Sequence, residues 1–191
     1  MIRGFTSLVF ILCFLFFWSL AFAHTDKFGG PDTVRISVSQ EESSREVLAK
    51  VFLFNDEELT AITLPLKFGE IGVEPDINLD SVIFKGTRVD YFQWQSAWID
   101  SAENKVKIGL ISALVSDVPA LKPGSGDICT MYFTIKEDVQ PTEIVLDTCF
   151  AKPTMTLQLV YVDKNKKPIS FVPVFDNQKA KIVVGPAKKS K

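Results

Sequence analysis

The fold class is decided by the stretch Val47-Leu48-Ala49-Lys50-Val51-Phe52-Leu53-Phe54, the turn-like Asn55-Asp56-Glu57-Glu58, and the run that ends in Leu64-Pro65-Leu66-Lys67-Phe68. Apolar and polar side chains alternate in the last run, which places its apolar side chains on one face of an extended strand. Two such runs around a polar turn are typical of a β-protein. Pro65 has no backbone N–H to donate, so it predicts a sheet edge or a bulge in this strand.

The same period of two recurs on both sides of this stretch. Val34, Ile36 and Val38 alternate with polar residues, and short apolar runs separated by turn residues continue to residue 184. Residues 157–162 and 169–174 are expected to form a hairpin around residues 163–167. No long helical period follows residue 23. Nine to eleven short strands predict an all-β domain, a two-sheet sandwich or jelly roll.

The first 23 residues have a different character. Arg3 precedes an apolar run that ends in Ala21-Phe22-Ala23. A positive start, an apolar stretch and small residues before a cleavage point are typical of a secretory signal peptide. An uncleaved membrane anchor is the alternative, because the run is long enough to span a bilayer. We therefore expect export through a Sec-type signal to an extracellular, periplasmic or cell-surface location.

Behind the signal segment, the sequence predicts one β-sandwich domain over residues 32–185 and a flexible basic tail over residues 186–191. The whole chain has 21 Lys and Arg against 23 Asp and Glu, and its net charge is −2. Nucleic-acid binders usually show a basic patch or stripe, so nucleic acid is not an expected partner. A membrane is expected to be contacted only by residues 1–23, if they stay uncleaved.

Catalytic groups are scarce in this chain. The single histidine, His24, lies at the expected cleavage point, outside the predicted domain, so neither a histidine-based triad nor a multi-imidazole copper site is available. The carboxylates lie in turn-like segments without a marked pair. Asp163-Lys164-Asn165-Lys166-Lys167 begins like a calcium loop but places lysine where a ligand is needed. The sequence predicts no enzyme, no metal site and no cofactor, and calcium stays open without a motif to support it.

Two cysteines, Cys129 and Cys149, follow the signal segment. If strands near residues 128–135 and 143–150 form a simple hairpin, these cysteines lie opposite each other, and a disulfide is plausible in an exported protein. The apolar faces of the two segments do not agree fully with that register. A disulfide and two buried thiols therefore stay as alternatives.

One aromatic cluster, Tyr91-Phe92-Gln93-Trp94-Gln95-Ser96-Ala97-Trp98, stands out. In an extended strand Phe92, Trp94 and Trp98 share one face, and Tyr91 lies on the other. Rows of aromatic rings could stack on sugars or anchor a protein interface. Aromatic residues are also the usual core of a small sandwich. Tyr91, Phe92, Trp94 and Trp98 are thus candidate ligand-binding residues, with core packing as the alternative.

The order of these features resembles the cohesin family. The similar segments are residues 33–38, 51–68, 79–87 and Leu121-Lys122-Pro123-Gly124-Ser125-Gly126-Asp127-Ile128 leading into residues 132–135. The resemblance implies a nine-stranded antiparallel jelly-roll sandwich. It also implies a secreted, non-catalytic module that binds a dockerin-like protein partner through a sheet face, in an extracellular or cell-surface assembly. A carbohydrate-binding module that recognises polysaccharide through surface aromatics is the alternative function.

Overall fold

The computed structural model describes residues 29–41, 44–113, 118–140, 142–151 and 155–184. The expected signal peptide and the expected tail lie outside the described residues. Within these ranges the chain forms twelve β-strands and no helix. The described residues therefore contain no helix long and apolar enough to cross a membrane. The strands are β1 (Thr33–Gln40), β2 (Glu46–Asn55), β3 (Leu59–Phe68), β4 (Ile77–Ile83), β5 (Trp94–Asp100), β6 (Lys105–Ile111), β7 (Gly124–Ile135), β8 (Thr142–Thr148), β9 (Gln158–Val162), β10 (Pro168–Phe171), β11 (Val174–Lys179) and β12 (Lys181–Val184).

The strands form two sheets, which confirms the predicted all-β sandwich, with twelve strands in place of about nine. The smaller sheet has the order β11-β1-β2-β7-β4. The larger sheet has the path β10-β9-β3-β6-β5, with β8 joined to β3 and β12 joined to β8. The pairs are antiparallel except for β1 and β11, which run parallel. The last four strands, β9 to β12, are short, with four to six residues each.

Alternation places one face of every long strand in a single core between the sheets. In β2 the side chains of Val47, Ala49, Val51 and Leu53 are fully buried, as the period of two predicts. Phe68 of β3 and Phe133 of β7 meet edge to face across the sandwich, with ring centroids 5.7 Å apart. Aromatic pairs prefer this geometry, and here it joins the two sheets.

Pro65 lies in the middle of the larger sheet, so the prediction of an edge or bulge was wrong. On one side Pro65 is opposite Lys107 of β6. On the other side, β9 stops pairing with β3 at Thr63, and β8 starts pairing at Leu66. The Pro65 carbonyl accepts a hydrogen bond from the N–H of Cys149 at 3.2 Å. In a strand, the N–H and the C=O of one residue point the same way, so an N–H at position 65 would face the junction between β9 and β8. Proline, which has no N–H, therefore costs no ladder hydrogen bond here.

The end of the chain passes from one sheet to the other. β11 pairs with β1 in the smaller sheet, and β12 pairs with β8 in the larger sheet. Ala180 alone separates the two strands, and it is fully buried. The side-chain amide of Gln40 in β1 donates to the carbonyl of Val183 in β12 at 3.0 Å. This crossing closes one side of the sandwich.

The hairpin predicted around residues 163–167 is present between β9 and β10. The Asp163 N–H donates to the Lys167 carbonyl at 2.9 Å. The Asp163 carboxylate accepts from the N–H groups of Asn165 and Lys167, each at 2.8 Å. Asp163 therefore holds a turn with its own side chain, which is the usual role of Asp in a turn.

Candidate binding surface

The tryptophan face is the outer surface of β5, β6 and the middle of β3. Trp94 and Trp98 lie on β5, with side chains 44% and 50% exposed. Their partners on β6 are Ile111 and Lys107. The residues of β6 that alternate with these partners, namely Val106, Ile108 and Leu110, are fully buried on the core side. The face is completed by residues in register with the tryptophans, namely Ser96, Gly109, Ala61, Thr63 and Pro65.

Gly109 makes room for the indole of Trp94. A Cβ atom at position 109 would lie 3.0 Å from Cζ3 of Trp94 and 3.4 Å from Cη2. Because contacts of 3.0 Å to a Cβ are rare, any larger residue here would push the ring away. The Trp94 ring therefore lies close against the sheet, and nearly half of it is open to solvent.

Trp98 is held by a cation. The Nζ atom of Lys107 lies 3.9 Å from the centroid of the Trp98 ring, which is a cation–π contact. Lys107 is opposite Trp98 across the β5–β6 pair. This contact fixes the second ring and places a positive charge beside it, so the two tryptophans offer partners different chemistry.

Phe92 does not belong to the tryptophan face, so the prediction that it shares a face with Trp94 and Trp98 was wrong. β5 begins at Trp94, and the segment before it is a turn in which the N–H of Phe92 donates to the carbonyl of Val89 at 3.0 Å. The Phe92 side chain is only 5% exposed and packs in the core. A turn changes the direction of successive side chains, so the period of two does not extend back to residue 92.

Tyr91 is exposed, but in a different place. Its hydroxyl donates to the carbonyl of Ala120 at 3.2 Å, and its ring meets the Phe92 ring edge to face at 5.3 Å. Burial raises the pKa of Tyr91. Tyr91 lines a shallow concavity with Arg88 and residues 119–125, which we term the Tyr91 groove.

Arg88 is a structural residue that the sequence analysis did not single out. Its guanidinium donates to the carbonyls of Leu53 and Gly124, to Oδ1 of Asn55 and to the carbonyl of Lys122, at 2.7–3.1 Å. Burial lowers the pKa of this guanidinium. Gly126 has a φ of 152° and would, with a Cβ, approach Cδ of Arg88 to 2.9 Å. The two glycines at the start of β7, Gly124 and Gly126, are thus explained in part by the close approach of the Arg88 side chain.

With this geometry in view, known structures give a clear match. A search of family models and a search of curated proteins each found no match. Among solved structures, the seventh ScaB type I cohesin from Pseudobacteroides cellulosolvens matches with a TM-score of 0.60 and 17% identity, over 84% of this chain and 96% of that one. The third ScaC cohesin of Acetivibrio cellulolyticus, solved with the ScaB dockerin, matches with a TM-score of 0.57 and 12% identity, over 81% and 99%. An OlpA cohesin from Clostridium thermocellum, solved in a cohesin–dockerin complex, gives 0.58 and 9%, over 77% and 95%.

The chain has a cohesin-like fold. The matches confirm the resemblance inferred from strand order, although sequence identity is low throughout. Each of these matches covers at least 95% of the matched module, so this chain contains a whole domain of that type.

The cohesin-like fold also explains why the predicted cysteine register was wrong. Cys129 lies on β7 in the smaller sheet, opposite Val51, and Cys149 follows β8 in the larger sheet. β7 and β8 do not pair with each other, and both cysteines are free thiols. Complete burial raises the pKa of Cys129 strongly, so it packs as a small hydrophobic residue. Burial also raises the pKa of Cys149, opposed in part by the nearby charge of Lys105.

A second feature missed in the sequence is an acidic group at the start of β1. Asp32, Asp56 and Glu57 can each offer a carboxylate oxygen, and these oxygens lie within 4.8 Å of one another. The Asp56 N–H donates to Oδ1 of Asp32 at 3.0 Å, and the Gly30 N–H donates to Oδ2 of Asp56 at 2.8 Å. These bonds tie the entry to β1 to the turn after β2, so the group has a structural role. The sequence does contain a signal for this group. Asp32 comes directly before one predicted strand, and Asp56 and Glu57 come directly after the next, so antiparallel pairing of the two strands brings the carboxylates together.

Proposed function

We propose that this domain is an exported, non-catalytic module that binds a partner protein on the tryptophan face. The observation that supports this proposal is the pair of half-exposed tryptophans on one sheet surface. Large aromatic side chains are enriched among the residues that dominate protein interfaces, because they bury much area at a low entropic cost. A partner that covers Trp94 and Trp98 would remove this area from water.

The cohesin-like fold gives the proposal its partner class. Two of the three matched structures described above are complexes of a cohesin with a dockerin. We propose a dockerin-like protein as the partner here, in an assembly outside the cell or at its surface. Proteins of one fold can bind different partners, and this chain shares few residues with the matched modules. We therefore expect the residues of the tryptophan face, and not the fold, to set the choice of partner.

The test is an affinity capture from the secreted fraction of the source organism, with the purified domain immobilised. Wild type is compared with the variants Trp94→Ala and Trp98→Ala, with and without a calcium chelator. Tyr132→Ala is the matched control, because Tyr132 is also an aromatic strand residue, 40% exposed, on the outer face of the other sheet. We expect one set of proteins to be retained by wild type and by the control and lost from both tryptophan variants. Equal retention by all four proteins would refute docking on this face.

Polysaccharide is the second candidate ligand, because the same two rings could stack on sugars. Trp94 and Trp98 are four residues apart on one strand, about 13 Å at ~3.3 Å per residue. Lys107 already contacts the Trp98 ring, so a sugar on that ring would have to share it with an ammonium group. Retention of the wild-type domain on insoluble polysaccharide, lost in Trp94→Ala, would favour this candidate over a protein partner.

Export is a separate part of the proposal and has its own test. The protein is produced with its complete N-terminus in its source organism, and the mature form is analysed by mass spectrometry. A mature N-terminus at His24 in the secreted fraction is the expected result. A membrane-bound chain that still begins at residue 1 would instead indicate an uncleaved anchor.

A further inference from the structure

The Tyr91 groove lies outside the tryptophan face and has a different chemical character. It is a concavity of about 500 Å³ between the turn before β5 and the segment that leads into β7. Its charged lining residues are Arg88 and Lys122, and no carboxylate is found among the described residues that line it. A positively charged concavity of this kind favours an anionic ligand.

The groove is rigid before any ligand arrives. The hydroxyl of Tyr91 is bonded to Ala120, and its ring rests against Phe92. The guanidinium of Arg88 is fixed by four acceptors, and Pro119 and Pro123 restrict the backbone of the wall. A ligand therefore pays little for ordering the site, which favours binding.

The backbone of the groove already uses its polar groups. The carbonyl of Ala120 accepts from Tyr91, and the carbonyls of Lys122 and Gly124 accept from Arg88. Both the N–H and the carbonyl of Leu121 are bonded to Leu59, at 2.8 and 3.0 Å. An extended peptide binds mainly by exchanging main-chain hydrogen bonds, so this floor suits a peptide poorly. It offers an apolar aromatic surface and cationic donors instead.

We propose that the Tyr91 groove binds an acidic saccharide, in which a pyranose ring packs on Tyr91 and its carboxylate is bound by the exposed ammonium group of Lys122, with the fixed charge of Arg88 adding to the positive potential of the groove. A uronic acid fits this description, because it combines an apolar ring face with a carboxylate on the same ring. The volume of the groove, about 500 Å³, is enough for a short segment of such a chain. This site is independent of the docking proposed for the tryptophan face.

One carboxylate lies near enough to oppose the ligand. Burial is the main cause of the raised pKa of Tyr91, the charge of Arg88 opposes it, and the charge of Glu58, the residue before β3, adds to it. An anion at Tyr91 would be repelled by Glu58. Removing this charge should therefore strengthen the binding of an acidic sugar and leave a neutral sugar unaffected.

The experiment is an NMR titration of the full chain with trigalacturonate, with its methyl ester as the uncharged match. We expect shifts confined to residues around the groove with the acid, and none with the ester. Tyr91→Ala should weaken binding about tenfold. Lys122→Gln should weaken it about threefold to fivefold, and Glu58→Gln should tighten it about twofold, as exposed charges allow.

Tyr132→Ala, on the other sheet, serves as the control and should bind like wild type. Thermal melting of each variant checks that it is folded. A lack of shifts in wild type at millimolar trigalacturonate would overturn the proposal, as would equal binding of the ester. A tri-glutamate peptide that binds as tightly as the sugar would also overturn it, since the groove would then recognise any carboxylate.

Discussion

The two outer faces of this sandwich are built differently on the same scaffold. On the smaller sheet, which we term the charged face, Lys50 pairs with Asp127 at 3.0 Å and Arg35 pairs with Asp176 at 2.7 Å. On the tryptophan face, the edge strand β5 holds two half-exposed indoles and its neighbour β6 holds a glycine. Cross-strand ion pairs stabilise little but keep a sheet surface solvated. Both faces expose aromatic rings, because Phe54 and Tyr132 lie on the charged face and are 37% and 40% exposed. The faces differ in that the charged face places ion pairs among its rings, whereas the tryptophan face places its two indoles beside a glycine.

The largest effect is expected from Phe133→Ala, which removes a core contact beneath both faces. Phe133→Ala should lower the free energy of unfolding by about 3–5 kcal/mol, because Phe133 is 1% exposed and contacts Phe68 across the core. Urea unfolding followed by circular dichroism measures this loss. Phe133→Leu, which keeps most of the volume, should cost less than about 2 kcal/mol. If Phe133→Ala lowered the free energy of unfolding by less than about 2 kcal/mol, the contact between Phe133 and Phe68 would not join the two sheets in one core.

Arg88 should follow in size, because it joins the end of β2 to the start of β7. Arg88→Ala leaves the carbonyls of Leu53 and Gly124 without their donor, and we expect a loss of about 2–3 kcal/mol. Arg35→Ala on the charged face is the matched control, with an expected loss below about 1 kcal/mol. Chemical denaturation of both variants makes the comparison. Similar losses for the two arginines would contradict a structural role for Arg88.

A smaller effect is expected from Gly109→Ala, which alters one face only. The new Cβ should lift the Trp94 ring, at a cost of about 1 kcal/mol, because the half-exposed ring can move outward. The fluorescence of Trp94, measured on residues 24–191 in a Trp98→Phe background so that Trp18 and Trp98 do not contribute, should shift to longer wavelength as the ring gains solvent. Ser37→Ala on the charged face should leave the spectrum unchanged. An unshifted spectrum in Gly109→Ala would show that the ring does not depend on this glycine.

The smallest effects are expected for one pair of contacting side chains on each face. Double-mutant cycles for Trp98 with Lys107, and for Lys50 with Asp127, should each give about 0.5–1 kcal/mol. Salt should weaken the exposed ion pair by screening and should affect the cation–π contact less. Thermal unfolding at low and high ionic strength measures both. The same salt dependence for both pairs would remove this distinction between the faces.

The sequence predicts which residues face inward far better than it predicts which strands are neighbours. The alternation in β2 places Val47, Ala49, Val51 and Leu53 correctly, because the period of two is a local property of the backbone. The pairing of β7 with β2 and β4 depends on residues distant in sequence, so the assumed hairpin of Cys129 and Cys149 failed. The junction that accommodates Pro65 is equally non-local.

The candidate site could be predicted only in part for a related reason. The extended pattern groups Trp94 with Trp98 correctly, but it does not say that their face is the outer one. The turn before β5 then separates Phe92, which is buried, and Tyr91, which lines a different concavity. Arg88 was missed because a charged side chain that binds backbone carbonyls leaves no pattern in the sequence.

The parallel pairing of β1 and β11 determines how this domain would respond to a pulling force. Thr33 at the start of β1 lies beside Val174 at the start of β11, and the chain leaves β11 at the opposite end to continue along β12. Tension between the two ends would therefore act along the strands and load their hydrogen bonds together, in shear, instead of opening them one after another. Because β11 and β12 are paired to different sheets, the same tension would be shared by both layers of the sandwich.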